Sequence, residues 1–208
     1  MRTLAIGLAL VALGVASCVA ARAEPARGAG AGLLARLNAA GRAEARIERR
    51  APDPLGGGER RASGRLALEL PDRARLDFDD TRESLTLRSD GGEWLQPALH
   101  QLIRFGPESA RVGLRWWSVM LGRGGIAHAE RAAAGGRTLL TLAPESGSVR
   151  DSAWVTLGRD ALPRELEVVE PDGGHAVYRI GRWKFLAPRG ATAFVLHGPA
   201  GYEIVDMR

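Results

Sequence analysis

Apolar and polar side chains alternate along the middle of this chain. Between Gly64 and Leu87 nearly every second residue is apolar, and most residues between them are Arg, Asp, Glu or Thr. Successive side chains of a β-strand point to opposite faces, so this pattern predicts strands with one apolar and one solvated face. Similar stretches follow almost to the last residue. We therefore expect a mainly β protein, built as one strongly curved antiparallel sheet with an apolar concave side.

The first 23 residues have the pattern of an export signal. Arg2 precedes an uninterrupted apolar run from Leu4 to Ala16, and Ala21-Arg22-Ala23 offers a small-x-small cleavage site. A helix made of that run would span only about 20 Å, which is too short for a stable transmembrane anchor. The pattern predicts a signal peptide at 1–23, a single domain at 24–208 and a location outside the inner membrane.

Cys18, the only cysteine, leaves a second interpretation open. The run Val15-Ala16-Ser17-Cys18 is similar to a bacterial lipobox, in which cleavage precedes a cysteine that becomes lipid-modified. If the chain is instead cut after Ala23, the mature protein has no thiol and no disulfide. The sequence alone therefore allows an exported protein without an anchor or one anchored to a membrane through Cys18.

The basic composition does not indicate a nucleic-acid partner. The formal net charge is +5 and the pI is about 10.5, and Lys184 is the only lysine among the 29 basic residues. The arginines are scattered over alternating strand positions and interleaved with Asp and Glu, which is typical of a solvated face rather than a basic stripe. We therefore expect no nucleic-acid binding.

No motif for catalysis or metal binding is present in the sequence. His100, His128, His175 and His197 have no second ligand at the spacing that zinc sites use. No serine lies in a Gly-x-Ser-x-Gly elbow, and the early glycines lack the spacing of a dinucleotide fingerprint. The sequence predicts neither catalytic residues nor a metal or cofactor, and so a protein that is not an enzyme.

Two short helices are expected beside the sheet. Leu33, Leu34 and Leu37 share one helical face that ends near Gly41, and a longer apolar helix is predicted from Ser109, as N-cap, to a stop at Gly122. Strands are predicted near 43–49, 62–70, 73–79, 82–89, 93–95, 99–105, 126–133, 137–143, 152–158, 164–170, 175–185 and 192–196. Two helices cannot easily fill the concave surface of so large a sheet, so we expect an apolar cavity.

Several motifs occur in a characteristic order along the chain. They are Ser63-Gly64-Arg65-Leu66 leading to Leu70-Pro71, Leu87-Arg88-Ser89-Asp90-Gly91 followed by Trp94, Thr141-Leu142-Ala143-Pro144, Val155-Thr156-Leu157-Gly158-Arg159-Asp160, and Phe194 through Pro199-Ala200-Gly201-Tyr202-Glu203-Ile204-Val205-Asp206. Their order and spacing resemble the LolA-type periplasmic carriers of outer-membrane lipoproteins and, more distantly, the LolB-type receptors of the same fold. The similarity runs from Leu33 to Arg208.

This resemblance implies a fold, a site and partners. The fold would be an incomplete antiparallel β-barrel, with helices as a lid over an apolar cavity that binds acylated lipoproteins or lipids. An inner-membrane ABC-type complex would load a monomeric carrier, and an outer-membrane acceptor would unload it. The residues implied to line or support the cavity are Leu66, Leu68, Leu76, Phe78, Leu85, Leu87, Trp94, Trp116 and Met120.

One position departs from the pattern of this family. Its members commonly carry an arginine directly before the strand-ending proline, where it helps to hold the lid closed. Here that position is Leu70, and Arg73 and Arg75 are the nearest candidates to replace the missing cation.

Overall fold

A computed structural model of the chain describes residues 28–52, 58–122, 125–143, 152–169 and 175–208. The predicted signal segment with Cys18, most of the loop after β1 and the segment at 170–174 lie outside these residues. The described chain has two α-helices, α1 at Ala31–Ala40 and α2 at Pro107–Met120. Its strands are β1 Arg42–Pro52, β2 Glu59–Glu69, β3 Arg73–Phe78, β4 Ser84–Arg88, β5 Gly91–Gln96, β6 Gln101–Phe105, β7 His128–Ala132, β8 Arg137–Leu142, β9 Ser152–Leu157, β10 Pro163–Val169, β11 His175–Ile180, β12 Lys184–Leu186 and β13 Glu203–Met207.

All of these strands belong to one curved, unclosed sheet. Its order is β13-β6-β5-β4-β3-β2-β1-β11-β10-β9-β8-β7, and β12 pairs with the beginning of β1. Every pairing is antiparallel except that of β13 with β6, which is parallel. Because the two end strands, β13 and β7, do not pair with each other, the barrel is open. The predicted fold class is confirmed.

The two helices lie on the concave side and meet near Gly30. α1 packs against β1 and β12, whereas α2 packs against β4 and β5. A Cβ atom at Gly30 would stand 1.7 Å from the Met120 carbonyl oxygen, so only glycine allows the start of α1 to approach the end of α2 this closely. The apolar core of the molecule lies between these helices and the concave face of the sheet.

A segment at 187–196, here called the strap, crosses the opposite, convex face. Its backbone is bound by side chains from five successive strands of the sheet. Arg42 donates to Ala187 O (2.9 Å), Glu69 accepts from the Arg189 and Gly190 amides (2.7 and 3.1 Å), Arg75 donates to Ala193 O (2.8 Å), Arg88 donates to Phe194 O (2.6 Å), and Glu93 accepts from the Leu196 amide (2.6 Å). Phe194 and Leu196 belong to the strap, and their side chains are buried.

The strap corrects the prediction of a strand at 192–196. Ala191–Phe194 is a 3₁₀ turn instead, because its backbone groups find their partners on side chains of the convex face rather than on a neighbouring strand. The predicted strand at 175–185 is likewise divided into β11 and β12. Gly181 still donates to Arg46 O, and the buried Trp183 between the two strands donates to Pro163 O.

Two element boundaries also differ from the predictions. α2 begins at Pro107 with Gly106 as N-cap, not at Ser109, since proline suits the first helical position, where its missing N–H has no acceptor to lose. The strand predicted at 99–105 begins at Gln101. Leu99 ends a 3₁₀ turn, and 62% of it is exposed.

Candidate functional site

The predicted cavity residues of the sheet lie side by side on its concave face. Strand register aligns one row across six strands: Ala45, Leu66, Leu76, Leu85, Trp94 and Ile103. The adjacent row is Ala43, Leu68, Ala74, Leu87, Gly92 and Phe105. Directly paired residues project to the same side of a sheet, so these rows form a continuous apolar wall.

The members of this wall are buried to different degrees. Leu66, Leu68, Leu76 and Leu87 are buried in the core, and Phe78 and Leu85 are partly buried against it. Trp94 is half-buried, and its indole Nε1 donates to Glu83 Oε2 at 3.1 Å. Trp94 therefore lies toward the edge of the wall, with its polar atom outside the core.

Helix α2 covers the wall and places Trp116 and Met120 in the core. Its apolar residues recur at helical spacing, so one side of the helix faces the sheet. Gly113 lets α2 lie close to β4, because a Cβ atom there would already stand 3.1 Å from Leu87 Cδ1. α2 lies over β4 and β5, and a cavity borders each of two faces of the helix.

The first cavity, here the hairpin cavity, lies where α2 passes the ends of the hairpins β2–β3 and β4–β5. Its volume is about 420 Å³. The apolar part of its lining consists of Leu37, Leu68, Leu70, Pro71, Pro107, Leu114, Trp117, Leu121 and Ile126. The charged part consists of Glu69, Asp72, Arg73, Arg88 and Arg111.

Leu70, the position at which the resemblance expects an arginine, lies in the wall of the hairpin cavity. Arg73 and Arg75, the candidates to replace the missing arginine, both already have other partners. Arg73 lines the same cavity, but its Nη1 donates to Glu69 at 2.7 Å. Arg75 points to the convex face, where it binds Asp77 and the strap.

The second cavity, here the β11 cavity, lies on the other side of α2, against β1, β10 and β11. Its volume is about 560 Å³. It is lined by Arg49, Ala51, Pro52, Val112, Gly113, Arg115, Trp116, Trp117, Leu166, Val168, His175, Ala176 and Tyr178. Trp117 lines both cavities. Each volume falls within the ~300–1,000 Å³ typical of small-molecule sites.

The cavities and the predicted residues overlap only in part. Of the nine predicted residues, Leu68 lines the hairpin cavity and Trp116 lines the β11 cavity. Most of the others form the core on which α2 rests. Sequence reasoning missed Trp117 and Tyr178 as lining residues. The apolar helical pattern at Trp117 could have indicated the first, but the position of β11 beside β1 depends on a distant pairing.

The carboxyl groups whose pKa values are lowered lie outside both cavities. A hydrogen bond from Arg50 is the main cause that lowers the pKa of Glu48. Hydrogen bonds from Arg208 lower the pKa of Asp206 to about 2. Asp206 is exposed and Glu48 is partly exposed, so both carboxylates belong to the solvated charge pattern of the surface.

The described residues contain neither a candidate membrane-spanning helix nor a candidate metal site. None of their helices combines the length and the apolar character that a membrane span requires. Nor do they contain a group of three or more His, Cys, Asp or Glu side chains placed to hold a metal ion.

Comparisons with known proteins place this chain beside several solved structures. No family model and no curated protein matches it. An uncharacterized conserved protein from Thermus thermophilus has a TM-score of 0.47 at 10% identity, covering 84% of this chain and 96% of its own. A putative outer membrane lipoprotein-sorting protein domain from Vibrio parahaemolyticus has a TM-score of 0.46 at 12% identity, covering 77% of this chain and 92% of its own. A LolA superfamily protein from Nitrosomonas europaea has a TM-score of 0.43 at 11% identity, covering 82% of this chain and 99% of its own.

Proposed function

We propose that this protein is a periplasmic carrier that shields the acyl chains of lipoproteins or lipids in its concave apolar face and carries them from the inner to the outer membrane. The observation that carries this proposal is the pair of cavities beside α2, 420 and 560 Å³ in volume, whose linings are largely apolar. Burial of an acyl chain there requires no directional bond.

Simple energetics support a carrier rather than a catalyst. Each methylene left in water costs about 0.8 kcal/mol, so an acyl chain cannot cross an aqueous compartment uncovered. A carrier needs only enough affinity to cover the chain and less affinity than the acceptor that receives it. On this account, an inner-membrane ABC-type complex supplies the energy for loading, and an outer-membrane acceptor takes the cargo.

Cys18 favours a second candidate. If the lipobox-like run before it is processed, the same domain would be held at the outer membrane as an acceptor of the LolB type. A carrier of a lipid that is not attached to protein would use the same cavities. The start of the mature chain distinguishes the anchored acceptor from the carrier, and the mass of the cargo distinguishes a lipoprotein from a free lipid.

A charge placed in the hairpin cavity tests the proposal. Leu114 of α2 lines this cavity and is only partly buried, so Leu114→Glu introduces a carboxylate with less risk to folding than a change at the buried Leu68. We expect the acyl load of the purified protein to fall about tenfold, because an ion must be desolvated beside the chain. Mass spectrometry of the extracted lipid measures that load.

Ser109→Glu is the matched control. It adds the same charge to an exposed position on the same helix, outside both cavity linings. Circular dichroism and thermal unfolding check that both variants fold. Equal acyl loads in the two folded variants would contradict the proposed site.

A further inference from the structure

Four exposed cations lie at the end of the sheet where β1 begins. Arg36 is on α1, and Arg159 is in the loop between β9 and β10. Arg182 and Lys184 are in the segment at 181–186, which leads out of β11 and contains β12. These four residues are here called the basic end.

Hydrogen bonds hold the β9–β10 loop and the 181–186 segment beside each other. The indole of Trp183 donates to Pro163 O at 2.9 Å, and the guanidinium of Arg164 donates to Gly181 O at 2.7 Å. The cations of the loop and of the segment are therefore carried on adjacent parts of the surface, although β10 and β11 separate them along the chain.

Helix α1 adds its cation to the same region. A Cβ atom at Gly32 would stand 2.5 Å from the Ala161 carbonyl oxygen, so the helix touches the backbone of the loop. One turn later, Arg36 donates to Asp160 O at 3.4 Å, and its guanidinium carbon lies 5.7 Å from the centre of the Phe185 ring. Arg36 thus lies between the loop and β12.

The carboxylates of this region already have arginine partners. Asp160 is the only acidic residue in α1, the loop and the 181–186 segment, and its carboxylate accepts from Arg164 at 2.7 Å. Glu44 of the neighbouring β1 pairs with both Arg42 and Arg189. The four cations of the basic end therefore add a local excess of positive charge, which attracts an anionic partner.

The surroundings of these cations favour a membrane over a protein as that partner. Protein interfaces depend on apolar or aromatic side chains that become buried at their centre, whereas an anionic bilayer attracts exposed Lys and Arg by charge alone. The large apolar side chains that the described residues expose lie outside α1, the loop and the 181–186 segment; they are Leu99, Val112, Val195, Ile204 and Met207.

The basic end also lies beside the hairpin cavity. Leu37, the residue after Arg36, lines that cavity. Arg42 is paired with Glu69 on one side and with Leu186 on the other, so β2 and β12 finish at the same end of the sheet. The turn after β2 contributes to the cavity lining, so a membrane bound at the basic end would lie next to this cavity.

We infer that the basic end binds the surface of an anionic bilayer and brings the hairpin cavity next to it, so that an acyl chain passes between the bilayer and the cavity over a short path. This inference rests on the proposed function and makes it more specific, because it names the surface by which the carrier meets a membrane.

Vesicle binding tests the inference. Co-sedimentation of the purified full chain is measured with vesicles of phosphatidylcholine that contain about one-third phosphatidylglycerol, and with vesicles of phosphatidylcholine alone. Any lipid anchor would bind both kinds, so the ratio of the two affinities reports the surface charge. We expect the anionic vesicles to bind at least about a hundredfold more tightly at low ionic strength, about fivefold for each exposed cation.

A triple variant removes three of these cations. Arg159, Arg182 and Lys184 are exposed and form no ion pair among the described residues, so their replacement by glutamine puts little of the fold at risk. The variant Arg159→Gln/Arg182→Gln/Lys184→Gln should lose most of the preference for anionic vesicles. Thermal unfolding checks that it folds.

The matched control is Arg60→Gln/Arg65→Gln/Arg82→Gln. It removes the same charge from three exposed arginines of β2 and the β3–β4 turn, which likewise form no ion pair among the described residues, and it should keep the wild-type preference. Equal losses in the two triple variants, or equal affinities of the wild-type protein for the two kinds of vesicle, would overturn the inference.

Two further readouts separate this inference from the carrier proposal and from a protein partner. A protein that prefers anionic vesicles through the basic end but takes up no acyl chain from them would contradict the carrier proposal and leave membrane binding at this surface intact. A protein that carries an acyl load without that preference would do the reverse. Poly-glutamate is a third ligand: if it binds the basic end more tightly than the anionic vesicles do, the partner is an acidic protein and the inference is wrong.

Discussion

Gly64 sits where β2 and β3 approach each other too closely for any side chain. A Cβ atom there would stand 2.2 Å from the Asp77 carbonyl oxygen, which belongs to the backbone and has little room to move. The residue is in extended conformation, so its role is the close approach itself rather than a special dihedral angle. The same contact keeps the Leu66–Leu76 pair of the concave wall in register.

We expect Gly64→Ala to lower the free energy of unfolding by about 1–3 kcal/mol, the usual cost of inserting an atom into a packed site. Gly58→Ala is the control, because nothing lies within 4 Å of a Cβ at Gly58. Gly58→Ala should change the free energy of unfolding by no more than about 0.5 kcal/mol. Equilibrium unfolding in urea measures the free energy of unfolding of both variants. Equal values for the two would show that β2 and β3 can separate without cost.

The strap is the element that holds the convex side of the sheet. It crosses β1 to β5, which form the cavity wall on their other face, and it supplies no strand of its own. Within the strap, Phe194 is only 1% exposed, whereas its neighbour Val195 is 37% exposed. The strap therefore has an apolar anchor in addition to its hydrogen bonds to Arg75, Arg88 and Glu93.

Removal of this anchor should destabilise the whole sheet. We expect Phe194→Ala to cost about 3–5 kcal/mol, as for other fully buried aromatic residues, while Val195→Ala costs little. Thermal unfolding of the two variants provides the measurement. A Phe194→Ala protein as stable as the Val195→Ala protein would mean that the strap is dispensable for the curvature of the sheet.

The strap also marks a limit of prediction from sequence. Its alternating Phe194 and Leu196 have the pattern of a strand, but the partners of its backbone are side chains about a hundred positions earlier in the chain. By contrast, β2 to β5 could be predicted well because neighbouring strands pair through short turns. There the alternation at Leu66, Leu76 and Leu85 reports both the strand and its buried face.

The same reasoning explains which parts of the site could be predicted. The apolar wall follows from local alternation, and the covering helix follows from the spacing of Trp116 and Met120. The cavities could not be placed, because their boundaries depend on where α2 lies over the wall and on the distant pairing of β1 with β11. Arg49 illustrates this, since only the fold shows that it faces inward beside Tyr178.

At the scale of the molecule, the continuous apolar wall lies on one face of the sheet and a network of ion pairs lies on the other. The convex face carries ion pairs such as Arg75–Asp77 and Arg46–Asp79, which explains how an arginine-rich chain avoids a basic stripe. The concave face carries the wall, the two helices and both cavities. Such a molecule can stay hydrated outside while it covers a ligand inside.

Native mass spectrometry can establish whether these cavities carry acyl chains. The protein is produced with its own leader in a Gram-negative host, and its intact mass is then measured again after denaturation. We expect a chain that begins at Glu24 and releases acylated cargo on denaturation. A chain that begins at a diacylglyceryl-modified Cys18 would establish the anchored acceptor instead. An unmodified chain that carries no cargo would contradict the proposal that these cavities carry acyl chains.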